Sequence, residues 1–203
     1  MSPHVKAPEE TRSRILHVAM EEIHMNGFQG ASLNKIVEKA GVTKGALFHH
    51  FKGKSELGYA VVDEVISKEI SEFWINPMSH SVDPVKDLKK LLMGMTRMVK
   101  EDPSVMEKGC PLSNLAHEMS PLDSVFREKL NVQFDRWRNT LEKAFEAGIT
   151  AGNVKSNTDS TIAAAFVVSS FEGLISTCKC SLDLNLTEKV MKGIFSYLDS
   201  LKI

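Results

Sequence analysis

Apolar residues recur at helical spacing along most of the chain, and nowhere do they alternate in the two-residue rhythm of a strand. Ile15, Leu16, Ala19, Met20 and Ile23 predict a helix from about Pro8 to Asn26, ended by Asn26-Gly27, with Phe28 plugging the core behind it. Leu33, Ile36, Val37 and Ala40 predict a short helix that Ser32 caps and Gly41 ends. Thr43 caps a further one over Lys44 to Phe51. Leu57, Val61, Val65 and Trp74 mark a long helix from Lys54 to about Ile75, about 30 Å at 1.5 Å per residue. Asn76 to Pro84 is the clearest break. Beyond it the pattern predicts helices over about Asp83–Glu101 and Cys110–Met119. Another begins at Ser120-Pro121 and runs to about Ala147, and the last two cover about Thr158–Ser181 and Thr187–Leu201.

These elements describe an all-α protein of about nine helices. Residues 1–54 are expected to form a three-helix domain of helix-turn-helix type, and residues 55–203 a separate helical domain. The organising stretch is Gly41-Val42-Thr43-Lys44-Gly45-Ala46-Leu47-Phe48-His49-His50-Phe51. Two short helices about a glycine turn place the second where it can enter a major groove. At 100° per residue Leu47, Phe48 and Phe51 share one face, which packs inward, while Gly45, Ala46 and His49 point outward with little bulk. Near-continuous apolarity in Ile162-Ala163-Ala164-Ala165-Phe166-Val167-Val168 predicts burial on more than one side, in a dimer seam or a central core helix.

Charge sharpens this division. The chain of 203 residues has a net charge of −1, but residues 1–54 hold eight Lys and Arg against five Glu, a surplus of +3 that leaves −4 for the rest. Five of the seven histidines lie there too. A mildly basic head on an acidic body suits a DNA reader with a separate regulatory part. The sequence shows no uninterrupted apolar run of about 20 residues and no secretory leader at Met1–Glu10, so cytoplasm and no membrane partner are expected. Lys6 is a candidate basic arm at a frayed terminus.

The spaced residues Thr11-Arg12-x-x-Ile15-Leu16, Gly27-Phe28-x-x-Ala31-Ser32-Leu33, Ile36-x-x-x-Ala40-Gly41-Val42 and Lys44-Gly45-x-Leu47-Phe48-x-His50-Phe51-x-x-Lys54-x-x-Leu57 resemble the tetracycline-repressor (TetR) family over an ungapped stretch. The resemblance implies a dimeric, effector-responsive repressor that binds a palindromic double-stranded DNA operator, its last two long helices pairing with those of a second copy. Ser32, Thr43, Lys44 and Lys54 are then phosphate contacts, and Gly45, Ala46 and His49 meet base edges. His50 lies at the phosphate edge. Phe48 joins the contact set because family members often carry Tyr where this chain has Phe48 or His50.

Cys110, Cys178 and Cys180 have no metal-ligand spacing and fit a reducing compartment; no metal or cofactor is expected. Gly109-Cys110-x-x-x-Asn114-Leu115 resembles a segment of the N-ethylmaleimide-reductase repressor subgroup, whose effectors are electrophiles and oxidants. At a helix start beside Lys108, Cys110 is expected to carry a lowered thiol pKa, with Cys178 and Cys180 slowed by burial. Asn114, His117 and Glu118 would line one polar side of the effector pocket, for a small molecule or an electrophile. Two alternatives stand beside this. Cys110 can be a small buried residue at a helix start, or, with His117 as base, the nucleophile of a thiol-dependent enzyme, for which no orienting third group is visible.

Overall fold

A computed structural model describes residues 6–203, with the side chains of Lys6 and Ala7 left out. The expectation that Lys6 acts as a basic arm therefore falls on a side chain outside the described residues. The described chain is all helical: α1 (Lys6–Gly30), α2 (Leu33–Ala40), α3 (Lys44–His50), α4 (residues 54–78), α5 (Pro84–Glu101), α6 (Ser104–Lys108), α7 (Pro111–Met119), α8 (Ser124–Thr150), α9 (Ser160–Ser181) and α10 (Leu184–Ser200). The short α6 is the one addition to the expected set. Contacts divide the chain into two compact units, one of residues 1–69 with 114–131, the other of residues 70–113 with 132–203.

The first unit, the head, is built on α1 to α3 and the start of α4. Ile15, Leu16, Ala19, Ile36, Ala40, Leu47 and Phe51 are all buried in it. Gly27, at φ 72°, breaks the regular course of α1 three residues before its end, where the sequence placed the stop. Residues 114–131 complete the core. Phe126 packs on Phe28 and Tyr59 with ring centroids 4.7 and 4.8 Å apart. Gly58 lies beneath these rings: a β-carbon there would stand 2.5 Å from Phe28 and 2.7 Å from Phe126. Asp123 sets the start of α8. Its carboxylate accepts from the Val125 and Phe126 amides at 2.8 and 3.1 Å and from the Tyr59 hydroxyl at 2.7 Å. The helix therefore begins at Ser124, not at the expected Ser120-Pro121; those residues lie in a turn.

α4 is not a uniform α-helix. Over Val61–Ile66 and Ser71–Ile75 its ladder widens to i→i+5, as in the bonds from Ser67 N–H to Val62 O and from Asn76 N–H to Ser71 O.

In the second unit, Trp74, Trp137 and Phe171 form an aromatic cluster, with the Trp74 and Trp137 centroids 4.2 Å apart. Leu88, Leu92, Leu141, Phe145, Val167 and Leu198 complete an apolar core. α9 is capped by Asp159, which accepts from the Ile162 amide at 2.9 Å. By length and composition α9 is apolar enough to cross a membrane, although Ser169, Ser170 and Glu172 interrupt its apolar run. Its Ala163, Ala164, Val167, Val168, Phe171 and Leu174 are buried within the unit, as in a core helix. Along the other side, Ile162, Phe166, Ser169 and Gly173 are exposed at spacings of four, three and four residues. On α10, Val190 and Gly193 are exposed and Tyr197 half-buried at the same rhythm, and the Phe166 and Tyr197 rings lie 4.1 Å apart.

Candidate nucleic-acid interface and regulatory site

The turn between α2 and α3 is closed from both sides. Gly41 takes the left-handed conformation (φ 61°, ψ 40°), and its N–H donates to Glu38 O at 3.1 Å while Val42 N–H donates to Val37 O at 3.1 Å. Ser32 Oγ accepts from the Lys35 amide at 3.4 Å, and Thr43 Oγ1 from the Ala46 amide at 3.1 Å. Both hydroxyls expected at phosphate thus act as helix caps, each typically worth about 1 kcal/mol. Leu47 and Phe51 anchor α3 from below. The Arg12 guanidinium lies 5.1 Å from the centre of the Phe51 ring and pairs with Glu64, whose carboxylate raises the Arg12 pKa.

With α3 fixed in this way, Lys44, Gly45, Phe48 and His49 form its exposed strip, flanked by half-buried Ala46 and His50. Phe48 is 52% exposed and does not join Leu47 and Phe51 in the core, contrary to the sequence reading of that face. At 100° per residue Phe48 stands nearer Lys44 and Gly45 than Leu47. Burial, His49 and Arg12 together push the His50 pKa down, which favours its neutral imidazole. Lys54 is engaged within the head, its ammonium donating to Gln29 O at 2.9 Å and lying over the Phe28 ring. Sequence reasoning missed the buried Glu22, which takes the Lys39 ammonium at 3.0 Å. Burial pushes the Glu22 pKa up, but the Lys39 pair, with the Ser32 backbone and Lys35, outweighs it and leaves the group below the ordinary range.

The four effector candidates are not brought together in one unit. Cys110 belongs to the second unit, and Asn114, His117 and Glu118 to the head. His117 is exposed. The Glu118 carboxylate accepts from the Phe28 and Gln29 amides at 2.7 and 2.8 Å. Its role as a pocket wall is thereby corrected: it caps the chain just after Gly27, where the break in α1 leaves two amides without helical partners.

Cys110 does sit immediately before Pro111 at the start of α7, but its thiol pKa is raised well above the ordinary value, against expectation. Burial is the main cause and the carboxylate of Glu172 on α9 the next, and together they outweigh the Ser113 and Leu112 amides that favour a thiolate. The signal absent from the local sequence was Glu172, 62 residues away. Cys178 is buried and accepts the Thr187 hydroxyl at 2.9 Å, whereas Cys180 is exposed, so burial does not protect both. Near neutral pH a thiol-specific reagent is expected to label Cys180 first, with Cys110 lagging until the pH rises far into the alkaline range. Mass spectrometry of a labelling time course checks the order, and faster labelling of Cys110 refutes it.

The chain matches the family model for bacterial regulatory proteins of the tetR family over residues 15–61 and that for the tetracyclin repressor-like C-terminal domain over residues 84–194. It belongs to the TetR family. The TetR regulators are DNA-binding proteins that work as dimers and typically repress transcription, and this chain is a DNA-binding transcriptional regulator. It is 24% identical to the HTH-type transcriptional repressor DhaR of Mycobacterium sp. (strain GP1) over 172 residues, covering 85% of this chain and 84% of that protein. A TetR regulator of Chloroflexus aurantiacus J-10-FL superposes with a TM-score of 0.83 at 21% identity over 98% of both chains. The reduced form of E. coli NemR superposes with a TM-score of 0.75 at 17% identity over 96% of this chain and 97% of that one. At these identities the two superpositions establish the shared fold.

Proposed function

We propose that two copies of this TetR regulator read a palindromic operator through α3 and are released from it by a small-molecule effector that acts on the second unit. The observation that carries the reading is the exposed strip Lys44, Gly45, Phe48 and His49 on a helix locked by caps at its start and a buried anchor below. Lys44, the free amides at the start of α3 and the ring edge of Phe48 meet the phosphate backbone. Gly45 and Ala46 admit close approach, Ala46 touches a thymine methyl, and His49 reads a base edge. Ser32, Thr43 and Lys54 support DNA contact chiefly by holding the head's shape, and His50 stands at the phosphate edge as a neutral donor. A chain working this way acts in the cytoplasm.

Pairing of copies is supported by the exposed face of α9 and α10. Ile162, Phe166, Val190 and Tyr197 supply apolar area, while Gly173 and Gly193, with open space at their β-positions, permit close helix approach. A protonated Cys110 favours a reversible ligand over an electrophile as effector. It also gives no support to a thiol-dependent enzyme, which would need an activated thiolate and a nearby base.

Selection of bound duplexes from a random library tests the operator, and the selected site then serves two variants. Lys44→Ala is expected to weaken binding on all sequences and to flatten the salt dependence by about one charge. His49→Ala should change base preference at one position per half-site while leaving the salt slope alone. A His49 variant with wild-type preference removes that residue from the reading set.

A further inference from the structure

Between α5 and α10, within the second unit, lies an open groove of about 310 Å³ that the DNA-binding reading does not use. Met93, Met191 and Phe195 give it an apolar lining. Met93 is 50% exposed, whereas Leu88 and Leu92 on the same helix are fully buried. Three cations edge the same groove: Arg97, Lys100 and Lys192. A single carboxylate, Glu188, answers them; it pairs with Lys100 at 2.7 Å and also feels the charge of Lys192. Arg97 has no ion-pair partner among the described residues. The groove thus joins about one ligand-sized volume of soft apolar surface to a surplus of two positive charges.

We infer that this groove binds an amphipathic carboxylate, its acid group held by Arg97 and Lys192 and its hydrocarbon portion laid on Met93, Met191 and Phe195. Charge selects the class. A cationic amphiphile meets Arg97 and Lys192 at close range, whereas a carboxylate accepts a two-pronged bond from the guanidinium. A neutral chain of equal length gains the apolar contact alone. The methionines suit a hydrocarbon of no fixed shape, because their unbranched side chains adapt to what lies on them. The inference stands apart from operator recognition and requires no DNA.

Isothermal titration of the full chain, without DNA, tests it with sodium decanoate, decanol and decylamine, all kept below aggregation. Decanoate is expected to bind saturably, and at least about tenfold more tightly than the other two, the loss expected when a charge-assisted bond is removed. Arg97→Gln/Lys192→Gln should cost decanoate at least about tenfold and leave decanol unchanged; Met93→Ser should weaken both. Circular dichroism and sedimentation confirm that each variant keeps its fold and its state of association. Decanoate binding that is no tighter than that of decanol overturns the inference. So does wild-type decanoate affinity in the double variant, which would place the ligand elsewhere in the protein. Loss of decanoate affinity with rising protein concentration overturns it as well, since a second copy would then cover the groove.

Discussion

Phe166→Glu is expected to give a folded monomer that no longer holds operator DNA, whereas Val167→Glu should unfold the second unit. The two positions are neighbours in sequence and opposites in environment. Phe166 is 43% exposed on the outward face of α9, while Val167 is fully buried against the unit's own core. A carboxylate at 167 has no partner and no water, and costs about 4 kcal/mol or more, a large part of the total stability of a domain. At 166 the same group is solvated in the single chain and is desolvated only when a second copy packs on it. Sedimentation velocity with far-ultraviolet circular dichroism separates the outcomes. A Phe166→Glu protein that remains dimeric sinks the proposed seam. The sequence places both in one apolar run; their burial assigns one to the proposed assembly face and the other to folding.

The second large effect is expected at Glu118. Replacing it with Ala strands the amides of Phe28 and Gln29 next to a glycine whose φ of 72° already prevents the helix from continuing regularly. Two bonds to a charged acceptor are lost, at a cost of about 3 kcal/mol to the head. Gln at 118 keeps one good acceptor and should retain about half. Both native tryptophans, Trp74 and Trp137, lie in the second unit, so indole fluorescence reports the wrong part of the molecule. Hydrogen exchange at the Phe28 and Gln29 amides is the direct measure. Protection unchanged in Glu118→Ala would show that the clamp does not hold this segment.

Much of the head was legible in the residues because its determinants are local. Gly41, Thr43 and Ser32 each act within four residues of their own position, and the caps and the left-handed turn appear where the pattern placed them. Phe48 was misassigned because it stands about 60° from Phe51 and was grouped with it, although it is about 100° from Leu47 and only about 40° from the exposed Lys44. The expected chemistry of the regulatory candidates departs from the structure for a different reason. Cys110 and Glu118 were read from their own helix, but what fixes the chemistry of each comes from far along the chain: Glu172 for the thiol, and the broken end of α1 for the carboxylate. Helix-dipole reasoning gives the right sign for an isolated helix start and is outweighed once the sulfur is buried and a carboxylate faces it. In α4 the buried Val62, Ile66, Ile70, Trp74 and Met78 recur every four residues, a period longer than about 3.6 that the i→i+5 segments accommodate.

The completion of the head by residues 114–131 has a consequence for the order of events during synthesis. α1, α2 and α3 leave the ribosome long before Glu118, Asp123 and Phe126 exist. Until those residues emerge, Phe28 lacks the ring that packs on it, and the amides after Gly27 lack their acceptor. The segment proposed to face DNA therefore waits, partly formed, through the translation of about seventy further residues, some seconds at ordinary elongation rates. A fragment ending after α4 is stopped at that same stage. Transplanting this head onto another body requires carrying the distant segment with it, and a junction drawn after Lys54 would cut the DNA-reading surface from part of its own support.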